Sequence, residues 1–220
     1  MQKSLMIETV SVADAVANEL RHRLLAGQYA GGKELRDTEL TEEFGAARPT
    51  IRAAVQMLVA DGLLERGRGR SARVRSFTAF DAIDLYRLRR PIELAAVRLI
   101  IEGKRPLTEI ERSADAFVAL SDAMTWDVVA DHDIAFHRSV LAAAASPRLL
   151  RTFNGVGAEL RLLIAQLRPA YRRVSELAAE HTVLLDALRA GKIRPALEAW
   201  QEHLTAAEQF FLDLIKECGL

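Results

Sequence analysis

The sequence predicts a mainly α-helical protein in two parts: a small helical unit with a β-wing over residues 1–76, and an all-helical bundle of six or seven helices over residues 77–220. Three observations carry that prediction. Apolar residues recur at helical spacing through most of the chain. Seven of the twelve glycines fall before residue 70, which concentrates turns and breaks in the first third. Residues 44–75 hold seven arginines against only Asp61 and Glu65, in a chain whose thirty basic and thirty acidic side chains cancel overall.

Composition narrows the class. Half the residues are apolar and 27% are charged, which is globular and excludes a disordered tail. Overall neutrality excludes a histone-like polyelectrolyte. Cys218 is the only cysteine, so an intrachain disulfide and a cysteine-rich metal site are excluded, and a cytoplasmic setting is expected. No stretch approaches the roughly 18 apolar residues of a membrane span, and the N-terminal stretch lacks the apolar run of a secretory signal. A soluble protein without a membrane partner is the expectation.

Taken in order, Ser11 with Asp14 three residues later reads as a capping box. It opens a helix with Val12, Val16, Leu20 and Leu24 on one side, ending at Gly27. A short helix is expected over about 37–44, followed by a tight turn at Gly45. A third starts at 48, with Ile51, Ala54, Val55 and Leu58 at i, i+3, i+4 and i+7, and stops at Gly62. Leu63-Leu64 and Ala72 to Arg75 read as two short strands joined through Arg66-Gly-Arg-Gly-Arg70. That order is a winged helix-turn-helix. Beyond a boundary near Ser76, a helix over about 78–102 should bury Leu85, Leu88, Ile92, Ala95 and Leu99 and be kinked by Pro91. Thr108-x-x-Glu111 reads as the cap of the next helix. Others are expected near 127–145, 147–168, 173–190 and 194–216, with Pro147 and Pro195 in first turns and Gly191 past an end.

The basic block points to nucleic acid. Arg48, Thr50, Arg52 and Gln56 lie off the apolar stripe of the third helix, towards its N-terminal half, where backbone N–H groups and the dipole also favour phosphate. The second helix of a helix-turn-helix enters the major groove N-terminus first. There an arginine binds guanine O6 and N7 bidentately, worth roughly 1–3 kcal/mol of discrimination. Arg48 and Arg52 are the base-reading candidates, with Arg36, Thr50 and Gln56 completing the set. Arg68, Gly69 and Arg70 on the wing suit phosphates or the minor groove, since Gly67 and Gly69 permit close approach. A solvated arginine-rich hairpin is the plain alternative; element order and arginine placement together favour double-stranded DNA. One short recognition helix reads a half-site, so a homodimer on a palindromic operator is expected.

Three later helices place ionisable side chains where periodicity predicts core. Asp133 and His137 project from one face, flanked by Phe136 and Val140. His181 begins a stripe continued by Leu184, Leu185 and Leu188, and His203 lies among Leu197, Trp200, Ala207 and Phe211. Any one of them alone is an ordinary core polar residue. Together they form a donor set of one oxygen and three nitrogens that a single divalent cation satisfies, zinc first, with nickel or manganese as alternatives. His132, one residue out of register, and His22 read as surface.

At these residues the chain resembles a family. Residues 12–75 look like the winged helix-turn-helix of GntR-type bacterial transcription regulators. The match runs through Gly27 to Gly32-x-x-Leu35, Leu40-Thr-Glu-Glu-Phe-Gly45, Ala47-Arg-Pro-Thr-Ile-Arg-Ala-Ala-Val55 and Asp61-Gly-Leu. The resemblance puts Arg48 and Arg52 on the family's DNA-contacting arginines and Arg68-Gly69 on its wing tip. Ala47 departs where a capping Ser or Thr is usual, and Ala53 where Glu is usual. Residues 80–216 resemble the FCD domain of the FadR subfamily, through Asp133-x-x-Phe-His137, Glu180-His-x-x-Leu-Leu-Asp-Ala187 and Ala196-x-x-x-Trp-x-x-His-Leu204. This implies metal ligands at Asp133, His137, His181 and His203, a small carboxylate effector held with the metal, and a counter-charge at Arg89 of an Arg-x-x-x-Glu93 pattern. Arg161 is a further candidate, and Ser146 stands where the family often has Asn. Arg89 is equally well read as a structural partner of Glu93.

The leading expectation is a non-enzymatic, metabolite-responsive transcription regulator. A metal-dependent hydrolase or lyase acting on a small acid would use the same donors with an open position. That reading marks no separate general base and leaves the wing unexplained. A constitutive DNA-binding dimer with a purely structural bundle is the other alternative.

Overall fold

A computed structural model describes residues 11–66, 71–166 and 173–217, and the chain divides into two compact units, Met1–Arg75 and Ser76–Leu220. In the first, α1 (Val12–Leu25), α2 (Asp37–Phe44) and α3 (Arg48–Ala60) accompany three strands, β1 (Glu34–Arg36), β2 (Leu64–Arg66) and β3 (Ser71–Val74). Ser11 caps α1 as its spacing predicts: its Oγ accepts from Asp14 N at 3.1 Å while the Asp14 carboxylate accepts from Ser11 N at 3.2 Å. Val16, Leu20 and Leu24 of α1 are buried, as are Ile51, Ala54 and Leu58 of α3, and the two helices pack together. Between α2 and α3, Gly45 adopts φ 59°, a left-handed conformation that favours glycine. Nothing in the side chain of Ala47 caps α3; Pro49 presets its first turn.

The sheet has antiparallel order β1-β3-β2, so the wing is extended by a strand that the sequence pattern did not reveal. β1 spans three residues and buries only Leu35, too short for an alternating signal. Its register sets Leu35 opposite the buried Ala72. The turn carrying Gly67, Arg68, Gly69 and Arg70 lies outside the described residues.

Among the described residues the second unit is built from helices alone: α4 (Ala79–Glu102), α5 (Thr108–Val118), α6 (Trp126–Ala143), α7 (Pro147–Gln166), α8 (Val174–Arg189) and α9 (Ile193–Glu217). Two local expectations change. Leu107 is the N-cap of α5, its carbonyl accepting from Glu111 N at 2.8 Å, so Thr108 is the first helical residue and not the cap. The buried face of α4 is also rotated from the predicted stripe. Leu99 is 40% exposed, whereas Arg89 and Glu93 are inside with Leu85, Tyr86 and Ile92. Apolar periodicity sends charged residues outward, and here a mutually paired Arg and Glu reverse that assignment. α4 runs through Pro91 as one helix.

Thr78 and Asp81 form a second capping box, with Thr78 Oγ1 accepting from Asp81 N at 3.3 Å and Asp81 Oδ2 accepting from Thr78 N at 2.9 Å. Thr78→Ala should cost about 1 kcal/mol, read as a lowered midpoint of urea unfolding. An unchanged midpoint would show that this cap adds nothing.

Candidate functional site

Four helices assemble the polar centre of the second unit. α6 presents Asp133 and His137 one turn apart, α8 presents His181, α9 presents His203, and α4 contributes Arg89 and Glu93. All but His203 are buried, and His203 keeps only 7% of its side chain exposed. Aromatic rings wall the site: Phe117 and Phe136 stand 4.7 and 4.8 Å from the His181 ring, centroid to centroid. His132 is half-buried 6.3 Å from the Phe117 ring, not fully on the surface, because α5 packs against this side of α6.

Hydrogen bonding selects the ring nitrogens that face inward. His137 Nδ1 donates to Glu93 Oε2 at 2.7 Å, and His181 Nδ1 donates to the Leu177 carbonyl at 2.8 Å. In the neutral form each ring therefore carries its lone pair on Nε2. Those two Nε2 atoms face each other at 3.3 Å, with Asp133 Oδ1 3.2 Å from one and 3.9 Å from the other. A nitrogen of His203 joins them, all three rings offering an atom within 4.8 Å of the others. Two lone pairs and a carboxylate directed at one another repel unless a cation lies between them. Two nitrogens each about 2.1 Å from one zinc at a tetrahedral angle stand about 3.4 Å apart, close to the spacing found. Tautomer and spacing both fit a divalent cation.

Glu93 does more than pair with Arg89 along its own helix. Besides His137, it accepts from Arg89 Nε at 2.7 Å and from Trp200 Nε1 at 3.3 Å. Burial raises its carboxyl, but Arg89 and His137 outweigh burial and bring it down to about 2. Asp133 is likewise held below the usual carboxylate range, its burial overcome first by the His181 imidazole beside it and then by His137. Burial pushes His137 down to about 4 against the pull of Glu93, and lowers His203 against Glu180. The sign for stability is the same for both kinds of group. As pH falls from 6.5 towards 4 the unfolded chain protonates His137 first, and from 4.5 towards 2 it protonates Glu93 first. Each window removes about 3 kcal/mol. Urea unfolding of chelator-treated protein should show stability declining steadily below pH 6.5; a plateau down to pH 5 would contradict the His137 contribution.

Beside the polar centre lies a cavity lined by Tyr86, Arg89, Asp133, Glu180 and His203 together with a mostly apolar wall. Arg89 Nη1 donates to the Tyr86 hydroxyl at 3.3 Å, while its buried Nη2 has no hydrogen-bond partner. Of the three effector candidates, only Arg89 is in this cavity. Arg161 lies on the face of α7 towards α6, where its guanidinium pairs with Asp131. Ser146 precedes α7, its carbonyl accepting from Leu150 N at 3.1 Å. Neither lines the cavity.

In the first unit, Arg36, Arg48 and Arg52 line one cleft with Asp37 and Ser71, and Gln56 lines an adjoining cleft with Arg52 and Arg66. Thr50, half-buried, lines neither. Asp37 was not singled out by sequence reading. It is 9% exposed at the start of α2 and accepts from Arg52 Nε at 3.0 Å, so the second candidate arginine is held by a fixed carboxylate. Arg68, Gly69 and Arg70 lie outside the described residues.

Residues 12–74 match the model of the gntR family of bacterial regulatory proteins, and residues 84–206 match the FCD domain. A relative from Paenarthrobacter nicotinovorans, named "Probable D-xylose utilization operon transcriptional repressor", is 28% identical over 197 residues, covering 89% of this chain and 87% of the relative. The galactonate operon transcriptional repressor of Escherichia coli K12 is 24% identical over 202 residues, covering 82% and 88%. A crystal structure of a GntR transcriptional regulator from Rhodococcus sp. RHA1 superposes with a TM-score of 0.82 at 27% identity, covering 93% of this chain and 99% of that one. With a matched winged helix-turn-helix, a matched FCD domain over more than half its length and relatives that regulate transcription, the chain belongs to the GntR family of bacterial regulators and is a transcription regulator, not an enzyme.

Proposed function

We propose that this protein is a metabolite-responsive regulator acting in the cytoplasm as a homodimer on a palindromic operator, with a small carboxylate effector held at a divalent cation in the helical unit. The observation that carries this reading is a cavity lined by Asp133 and His203 of the donor set and by buried Arg89, whose Nη2 has no partner, beside the convergent Nε2 atoms of His137 and His181. Asp133, His137, His181 and His203 would hold the cation, zinc first and nickel or manganese next, by donor type. When bound, that cation offers the carboxylate a Lewis-acid contact. Arg89 supplies the second, charge-assisted contact, and Glu93 keeps His137 Nε2 free for the cation. FCD domains often bind metals, and both relatives named above are described as operon repressors, so we read this chain as a repressor of an operon for a carboxylate or its precursor. The effector must bind one arrangement of the dimer better than the other in order to alter DNA affinity.

The test joins metal content to DNA binding. Purified protein should carry close to one equivalent of metal per chain, Asp133→Asn with His181→Ala should abolish it, and a carboxylate that binds should shift operator affinity by at least tenfold. Metal-free protein with unaltered ligand binding would sink the site, and bound ligand with unchanged operator affinity would sink the regulation.

A further inference from the structure

We infer that the effector is a monocarboxylate with a compact apolar body, aliphatic or aromatic, not a polyhydroxylated acid or a dicarboxylate; the inference rests on the carboxylate reading above. Charge supplies the first argument. Among the described residues Arg89 is the one Lys or Arg side chain on the cavity lining, and it shares the site with the carboxylates of Asp133, Glu93 and Glu180. One carboxylate engages its unpartnered Nη2 together with the cation. A second would be buried without a counter-charge, and Glu180, 30% exposed on the cavity lining, would repel it.

Hydrogen-bonding capacity supplies the second. Of the polar groups on the lining, Asp133 and His203 belong to the cation site, Tyr86 already accepts from Arg89, and Glu180 stands 3.4 Å from His203 Nδ1. Apart from the indole N–H of Trp126, the rest of the described wall is aliphatic or aromatic, with Val129, Ile164, Leu177, Phe210 and Phe211. A chain of hydroxyls would lose its water partners against that wall and find few replacements, whereas an apolar body gains by the same transfer. The unpartnered Nη2 of Arg89 takes the carboxylate. Size supplies the third. The cavity is about 40 Å³, room for roughly three waters, so the body is compact and makes its remaining space by shifting the half-buried Phe210 and Trp126.

Isothermal titration calorimetry of the zinc-loaded full-length protein with hexanoate, phenylacetate, gluconate and succinate tests this. Hexanoate or phenylacetate should bind at least tenfold more tightly than gluconate and succinate, with a negative heat-capacity change that marks apolar burial. Phe210→Asn, checked for native helicity by circular dichroism, should weaken the apolar acid at least tenfold and leave any gluconate binding unaltered. Tighter binding of gluconate or succinate overturns the inference and leaves the carboxylate reading standing. Equal loss of all four acids in Phe210→Asn overturns the assignment of the apolar wall. No binding of any of the four overturns the inference and the carboxylate reading together.

Discussion

Glu93→Gln is expected to destabilise the helical unit by about 3–5 kcal/mol and to weaken zinc binding by roughly 10–100-fold. Glutamine preserves the volume of Glu93 but not its charge, and Arg89, 2% exposed, would then hold a buried guanidinium with no ionised partner on its own helix. The metal effect has a separate cause. The Glu93 carboxylate can only accept, which fixes the proton of His137 on Nδ1. An amide can donate to Nδ1 instead and drive the proton to Nε2, the atom aimed at His181. Chemical denaturation reads the first effect and a zinc competition titration the second. Arg89→Met combined with Glu93→Leu separates them, because replacing a buried ion pair with apolar residues is often neutral or stabilising. That double variant should recover most of the lost stability while remaining weak for zinc and unable to bind a carboxylate. A Glu93→Gln protein as stable as the parent, with undiminished zinc affinity, would show that the network neither supports the fold nor orients His137.

The same network shows what the sequence made legible. His137, His181 and Asp133 stood out because each interrupts an apolar stripe, and all three are buried together. Their common destination follows from helix periodicity, since a residue on the core side of any one helix must meet the core sides of the others. Arg89 and Glu93 were harder to place. A charged pair four residues apart on a helix is usually a solvated one, and only the tertiary partners His137, Trp200 and Tyr86 make this pair interior. The exposure of Leu99 is the other side of that rotation. The family resemblance alone suggests Arg161 as a counter-charge, yet which face of α7 it occupies is settled by Asp131, a neighbour distant in sequence. Strand β1 escaped because three residues carry no period, and its pairing with β3 joins segments more than thirty residues apart. Asp37 escaped for a related reason: its acidic side chain at a helix start reads as favourable local electrostatics, while its bond to Arg52 spans fifteen positions.

That bond alters what the arginines of α3 should do. Arg48→Ala with Arg52→Ala is expected to lower operator affinity by roughly 2–6 kcal/mol, about thirtyfold to beyond ten-thousandfold, if each reads one guanine. Affinity for random duplex should fall far less. The chain is neutral overall, so its non-specific attraction is already modest and specificity depends on a few well-aimed groups. The two arginines are not equivalent. Arg52 is half exposed but tethered through Nε to a nearly buried carboxylate, which limits the rotamers its guanidinium samples and lowers the entropy lost when it meets a base edge. Asp37→Asn should therefore raise binding to random DNA, because a negative charge leaves the cleft, while reducing the ratio of operator to random affinity. Arg52→Lys cannot restore that ratio, since an ammonium lacks the planar fork for O6 and N7. Fluorescence anisotropy on operator and scrambled duplexes, at two salt concentrations, separates the outcomes. A double variant that keeps its operator-to-random ratio would remove both residues from base reading, and a ratio unchanged in Asp37→Asn would show that Arg52 reads its base without the carboxylate behind it.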